Sequence, residues 1–294
     1  MKIGVVFPQT ELGGDVGAVR AYGEAADSLG YTHLVAYDHV VGADPAVHAG
    51  WAGPYDVSTT FHEPFVMFGY LAGVTSLELV TGIIILPQRQ TALVAKQAAE
   101  VDLLTRGHFR LGVGLGWNRV EYEALGQSFE QRGRRLSEQI ELLRRLWTET
   151  SITHTGTYDT ITGAGIAPRP MQRPIPIWIG GVSDAAYRRI GRLADGWFPR
   201  IPPDEALHRA LEVIGAAARD VGRDAGSIGM EARVGWAPTD ADRVSTEVEA
   251  WRQAGATHLA IDTMSTGQHS VDDHITALKR AADAIGSMPR AQDQ

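Results

Sequence analysis

The feature that most constrains this chain is a regular alternation, from one end to the other, of short apolar runs with segments of helical periodicity. A run that is apolar at successive positions suits a strand covered on both faces, as in a parallel sheet wrapped by helices. Residues 3–7 form the first run, closed by Pro8. The stripe Val19, Tyr22, Ala26 and Leu29 follows, with Gly30 just past its end. Further strands are predicted at residues 33–37, 79–85, 109–113, 175–179, 196–198, 230–234 and 257–261. Between them lie helical stripes such as Leu136, Ile140, Leu143 and Trp147, or Leu207, Leu211 and Ile214. Strands and helices in this order predict an α/β fold, a single (β/α)8 TIM barrel over residues 1–286, with an open doubly wound sheet as the alternative. The polar tail, residues 287–294, is expected to be disordered.

Two stretches break the rhythm. Residues 41–61, rich in Gly, Pro and Ala, follow the second strand and so belong to the face where barrel loops shape active sites, either as pocket wall or as a surface insertion. His48, Trp51, Tyr55 and nearby His62 suggest an aromatic lining there, or exposed loop residues. Residues 150–176 read as a small hairpin followed by a Pro-rich segment, and are expected on the opposite, structural face.

Composition narrows the chemistry. Lys and Arg total 27 against 35 Asp and Glu, a formal charge of -8, so the basic footprint of a nucleic-acid binder is missing. The absence of cysteine excludes disulfides, thiolate metal sites and cysteine nucleophiles. No apolar run is long enough to span a membrane, and no signal-peptide core opens the chain. A cytoplasmic protein acting on a small molecule, with neither nucleic-acid nor membrane partners, is the expectation. The lysines Lys2, Lys96 and Lys279 sit at a strand start or in helices, which argues against a Schiff-base aldolase. The histidines show no paired ligand spacing, so no metal site is expected, although a metal-dependent hydrolase could draw on Asp38, His39 and Asp262.

Candidate site residues lie where strands end. Asp38 and His39 close the second strand, a position that suits either a site in the barrel mouth or a helix cap. Gly112-Val-Gly114-Leu115-Gly116-Trp117 follows the fourth strand. It lacks dinucleotide-fingerprint spacing, and reads as backbone closely approaching a flat ligand or as a tight turn around a packed Trp. Ile179-Gly180-Gly181-Val182-Ser183 ends the fifth strand and opens a helix. Free N–H groups beside glycines there suit a phosphate, while Ser183 is equally a plain helix cap.

At these positions the chain resembles the luciferase-like monooxygenase superfamily, in particular its actinobacterial branch of oxidoreductases dependent on the deazaflavin coenzyme F420. The resemblance is carried by Thr81-Gly82-Ile83-Ile84-Ile85-Leu86-Pro87, Arg89, Ala95-Lys96-Gln97-Ala98-Ala99 and the Gly-Val-Gly-Leu-Gly-Trp loop. Gln131-Arg132-Gly133-Arg134-Arg135, Pro168-Arg169-Pro170, Trp178-Ile179-Gly180-Gly181 and Asp195-Gly196-Trp197 continue it. It implies a deazaflavin, or alternatively FMN, lying across the mouth, with a non-prolyl cis peptide at Gly82-Ile83 under the ring. It places Asp38 and His39 near the ring, with His39 the candidate catalytic residue for proton transfer. Leu115, Gly116 and Trp117 become the ring-side loop, and Gly180, Gly181, Val182 and Ser183 the segment holding pyrimidine edge and phosphate. It further implies a homodimer through helices beside the second to fourth strands. Trp117 stands where the sugar-phosphate dehydrogenases of this group have a catalytic glutamate, and Val120 where they have a polar residue, which argues against that substrate class. The activity implied is hydride transfer with a small organic substrate. An FMN-dependent monooxygenase and a non-catalytic F420-binding protein are the alternatives.

Overall fold

A computed structural model describes residues 1–236 and 241–286; the expected disordered tail lies outside the described residues. In chain order the strands are β1 (Lys2–Val6), β2 (His33–Ala36), β3 (Glu78–Thr81), β4 (Ile84–Ile85), β5 (Phe109–Gly114), β6 (Ile152–Thr155), β7 (Thr160–Ala164), β8 (Ile177–Gly180), β9 (Gly196–Phe198), β10 (Gly229–Gly235) and β11 (His258–Asp262). Apart from the hairpin β6–β7, all pair in parallel in the order β3-β2-β1-β11-β10-β9-β8-β5, and β5 pairs back onto both β3 and β4. The sheet therefore closes on itself. Because β3 and β4 occupy one place in the ring, it is the eight-stranded barrel expected.

Helices wrap the outside: α1 (Val16–Ser28), α2 (Pro64–Leu71), α3 (Thr91–Leu104), α4 (Arg119–Ala124), α5 (Arg132–Thr148), α6 (Asp184–Leu193), α7 (Glu205–Arg219), α8 (Ala241–Gln253) and α9 (Val271–Ile285). Their starts follow from side chains: Asp15 accepts from the N–H groups of Gly17 and Ala18 to open α1, and Asp204 accepts from Ala206 to open α7. On α5, Leu136, Ile140, Leu143 and Trp147 are buried as their spacing requires. Helix α2 is missing from the periodicity because Pro-Phe-Val-Met-Phe-Gly-Tyr-Leu is apolar all round and offers no stripe. Glu63, which caps it, and Pro64 in its first turn are its only local signals.

Side chains that point into the barrel fall into layers. At the amino ends of the strands Arg110 bridges Glu231 (2.7 Å) and Glu78 (2.9 Å), His33 meets Glu231 at 3.0 Å, and Arg110 lies over Trp178. Gly4 and Gly196 make room here, since a Cβ would fall 2.3 Å from the His33 ring and 2.1 Å from Trp178. Above sits an apolar layer of Val6, Val35, Val80 and Ala260, with Tyr37, Phe198 and Met264 packed on it towards the mouth. These two layers plug the barrel and leave its carboxyl-end mouth as the place for chemistry.

The segment 150–176 lies only partly where its position in the chain predicts. Its Pro-rich stretch does run along the structural face, where the buried Asp102 near the end of α3 accepts from the N–H groups of Met171 (2.6 Å) and Gln172 (3.0 Å). The hairpin turn instead climbs towards the mouth face. Asp159 accepts from Thr91 at the start of α3, and Glu138 of α5 accepts from the N–H groups of residues 157–159. Unspent N–H groups at a tight turn must find acceptors, and α5 offers a carboxylate.

Candidate active site

The floor of the mouth is set by an irregularity in the third strand position. Val80 is opposite Arg110 and Ile84 opposite Val113, so the third strand advances four residues while β5 advances three. The extra residue is taken up at Gly82-Ile83, joined by a cis peptide bond as the family resemblance implied. Ile83 then lies over two glycines of neighbouring strand ends. A Cβ on Gly114 would come within 2.6 Å of its Cδ1, and one on Gly180 within 3.3 Å of its Cγ2. The floor across β3, β5 and β8 is thus low and apolar, topped by a single Ile side chain.

Asp38 secures this floor from beneath. Its Oδ2 accepts from the Ile85 N–H (3.2 Å) and its Oδ1 pairs with Arg89 at 2.8 Å, while Arg89 also reaches Glu63. Burial pushes the Asp38 carboxyl above its ordinary range, and Arg89 opposes that rise. Buried and fully occupied, Asp38 positions the strand end rather than presenting itself to the mouth.

His39, the next residue, is held on three sides. Its Nδ1 lies buried 3.5 Å from Glu121 Oε2, its ring leans on Tyr55 at a centroid distance of 3.9 Å, and the Phe61 edge closes on it from 4.8 Å. Nε2 is the accessible ring nitrogen. Tyr55 is itself fixed by the Asn118 amide, which donates to its hydroxyl at 3.0 Å. Glu121 is 0% exposed and accepts from Val40 N–H at 2.5 Å and from the Gln88 amide at 3.1 Å. Burial alone would push its carboxyl up, but His39, the Val40 N–H and Gln88 outweigh it and hold it below the usual range. A buried carboxylate therefore backs the histidine.

Glu121 escapes sequence reading. Asn118 accepts from the N–H groups of Val120 and Glu121 to cap α4, and Asn-x-x-Glu at a helix start reads as a mere cap. Only the fold shows that the carboxylate leaves its helix to reach the loop after β2.

Across the mouth the strand ends carry polar groups. Arg233, half-exposed, donates to the Tyr37 hydroxyl at 2.7 Å and stands 3.7 Å from Asp262, which Tyr37 approaches to 3.4 Å. Burial raises the Asp262 carboxyl above its ordinary range. Asp38, His39 and Asp262 thus have separate partners, and among the described residues no three acidic or histidine groups converge as a metal site. Beside the floor, Ser183 accepts from Ala186 N–H as the cap of α6, and Gly181 is demanded by that first turn, since a Cβ would meet Ala186 at 2.6 Å. Val182 and Ser183 are exposed, with the opening N–H groups of α6 free of intrahelical acceptors.

The loop of residues 41–61 folds over the rim. Trp51 packs at 5.4 Å against Trp117, which meets Tyr55 at 5.2 Å and stays 42% exposed. Gly116, at φ +64°, allows this turn and leaves no room for a side chain beside Ile85. A hollow of about 400 Å³ opens between Trp117 and residues 48–54, with His48, Trp51 and Pro54 in its wall; Gly82, Ile83 and Gly180 to Ser183 are not part of that wall. His62 is drawn elsewhere, bonding to the Gly13 carbonyl (3.0 Å) and edging against Phe7.

A closed parallel barrel whose strand ends bring together an apolar floor, a buried carboxylate–histidine pair and a roofing loop belongs to the class of barrel enzymes that work at this mouth. The chain is a member of the luciferase-like monooxygenase family, whose model matches residues 1–293. An uncharacterised protein of Mycobacterium tuberculosis is 37% identical over 164 residues, 55% of this chain and 56% of that one, so the match spans about half the length of that relative. A monooxygenase of Streptomyces bottropensis superposes with TM-score 0.79 at 19% identity, covering 97% of this chain and 98% of its own. An F420-dependent secondary alcohol dehydrogenase, in complex with an F420-acetone adduct, does so with TM-score 0.79 at 17% identity, covering 97% and 99%. The fold is shared equally with both, and the family is one of oxidoreductases and monooxygenases. No helix among the described residues is long and apolar enough to cross a membrane.

Proposed function

We propose that this protein is an oxidoreductase that uses the deazaflavin coenzyme F420 to exchange a hydride with a small organic substrate. The observation that carries the reading is the His39–Glu121 pair at the rim of a flat, apolar floor. The residues fit such a group: Gly82 and Ile83 would lie under a planar ring, and Leu115, Gly116 and Trp117 beside it. Gly180, Gly181, Val182 and Ser183 would take its polar edge and phosphate at the opening of α6. When bound, the deazaflavin supplies a carbon that gives or takes a hydride. The chain's own part is the proton. With Nδ1 turned to Glu121, a neutral His39 ring accepts a proton at Nε2 as a substrate hydroxyl becomes a carbonyl, and returns it in the reverse direction. Tyr55 and Phe61 hold the ring in that orientation and keep water from its face.

Titration of the purified protein with each cofactor, read by fluorescence, tests the assignment. Micromolar or tighter deazaflavin binding is the expected result; tight FMN binding with no deazaflavin binding would replace it with an FMN-dependent monooxygenase. His39→Ala is expected to lower turnover by about 10²–10⁴ while leaving cofactor affinity nearly unchanged. Unchanged turnover removes His39 from the mechanism, and binding without turnover of any alcohol or ketone would favour a cofactor carrier. A homodimer through α2 and α3 is part of the same reading: Val66, Tyr70, Leu93 and Leu104 on these helices are exposed apolar residues. A monomeric mass by light scattering would refute it.

A further inference from the structure

Side chains alternate along β10, and the alternation aims an arginine into the mouth. Ala232 and Val234 are buried in the helix-covered core, while Glu231 points inward to the layer of Arg110 and His33. Arg233 is the next inward residue, one step nearer the mouth than Glu231. Its side chain is nevertheless 49% exposed. An inward side chain gains that exposure only through the open end of the barrel, so the guanidinium faces the chamber in which a substrate would lie.

Arg233 is only partly engaged. Its Nη1 donates to the Tyr37 hydroxyl at 2.7 Å, whereas Nε and Nη2 make no hydrogen bond among the described residues. These two form the parallel edge of the guanidinium fork, which matches the two oxygens of a carboxylate. The neighbouring acids do not fill that edge. Asp262 stands 3.7 Å from Nη1, beyond hydrogen-bonding distance, and accepts instead from the Met264 N–H (2.9 Å) and the Tyr37 hydroxyl (3.4 Å). Glu11 is taken up by the Ser265 N–H and His274. Arg200, exposed two residues past the end of the adjacent β9, adds a second cation with no carboxylate partner among the described residues. In a chain of formal charge -8, this side of the mouth is locally positive.

Tyr37 connects this cation to the histidine. It lies two residues before His39 on the same strand end, and its hydroxyl takes the Arg233 bond. A molecule whose hydroxyl or carbonyl oxygen reaches His39 Nε2 would extend over Tyr37 towards Arg233. Resting on the reading of His39 as the proton carrier, we infer that Arg233 determines specificity by holding the carboxylate of a hydroxy acid or the corresponding oxo acid. The carboxylate lies on the Nε–Nη2 edge, and Arg200 reinforces it from the next strand end.

Calorimetric titration with pyruvate, acetoacetate and levulinate, which carry the carboxylate progressively further from the ketone, and with the amide of each, reads the site without turnover. At least one acid should bind about tenfold or more tightly than its amide, the difference a charge-assisted pair makes. Arg233→Met should bring acid and amide within about twofold, and Arg233→Lys, which keeps the charge but not the fork, should retain part of the preference. Arg200→Met, at an exposed position, carries the comparison if Arg233→Met does not fold, with about a threefold loss of acid binding expected. Equal binding of every acid and its amide by wild type, an undiminished preference in the variant that carries the comparison, or inorganic phosphate bound more tightly than every acid overturns the inference. With the deazaflavin added, the preference should appear in KM rather than kcat, and His39→Ala should lower kcat without altering it. Acid binding that depends on Arg233, without turnover of any acid, would end the oxidoreductase reading and leave the carboxylate site standing. Turnover of neutral ketones with no preference for acids would do the reverse.

Discussion

Glu121 and His39 are 82 positions apart in the chain and 3.5 Å apart in space. The carboxylate does two jobs there: it accepts from the Val40 N–H, which fixes the loop after β2, and it faces the histidine. The two can be separated. Glu121→Gln keeps an acceptor for Val40 but removes the charge, so turnover should fall about tenfold while stability changes by about 1 kcal/mol or less. Glu121→Ala leaves Val40 and Gln88 without a partner and should cost about 2–3 kcal/mol in addition. Steady-state kinetics beside urea melts of both variants decide the matter; equal kcat in wild type and Glu121→Gln means that His39 works without it. At this scale the sequence marked His39 and Gly180 by their places at strand ends, and Gly82 only through the family resemblance. It could not mark Glu121, since a helix-start Glu has an ordinary capping explanation until the fold shows where it points.

At the scale of elements, the strands and most helices were legible because burial on one or both faces leaves a period in the sequence. Helix α2 was not, being apolar throughout, and the hairpin turn was misplaced because its anchors on α3 and α5 are polar contacts without a period. The Pro-rich segment is likewise tied by single residues. Asp102, 0% exposed, accepts from Met171, Gln172 and the Gln172 amide, which goes on to the Phe109 carbonyl. Asp102→Asn should cost about 1.5–3 kcal/mol, since hydrogen bonds to a charged acceptor are the stronger ones. Limited proteolysis should then cut first within residues 165–176. Wild-type urea midpoint and cleavage pattern in the variant would show that the segment is held by other means.

For the whole molecule the barrel's inner layers make stability depend on pH. Burial alone would push the Glu231 carboxyl up, but Arg110 and His33 outweigh it and hold it down at about 2. Burial, with Arg110 adding to it, holds His258 down at about 2. Unfolding returns both to ordinary values near 4.5 and 6.5, so below those values the unfolded chain binds protons that the folded one refuses. Their contribution is complete above pH 6.5, shrinks as His258 becomes protonatable in the unfolded state, and falls more steeply from pH 4.5 towards 2. The melting temperature should follow that course, and Glu231→Gln should flatten only its lower part. A curve level from pH 7 to about 3.5 would show that this layer does not control acid stability.

The sequence by itself determined the barrel, the face on which the site would lie and the family, because these depend on local periodicity and on short motifs within single connections. Only the tertiary structure decided which side chains meet: the carboxylate behind His39, the Asp102 tie on the Pro-rich segment, and the burial that turns Asp38 from a ligand candidate into a brace. Closing the barrel brings distant strand ends within bonding distance. What a polar group does there depends on the partners and water left to it, and these are properties of the closed barrel alone.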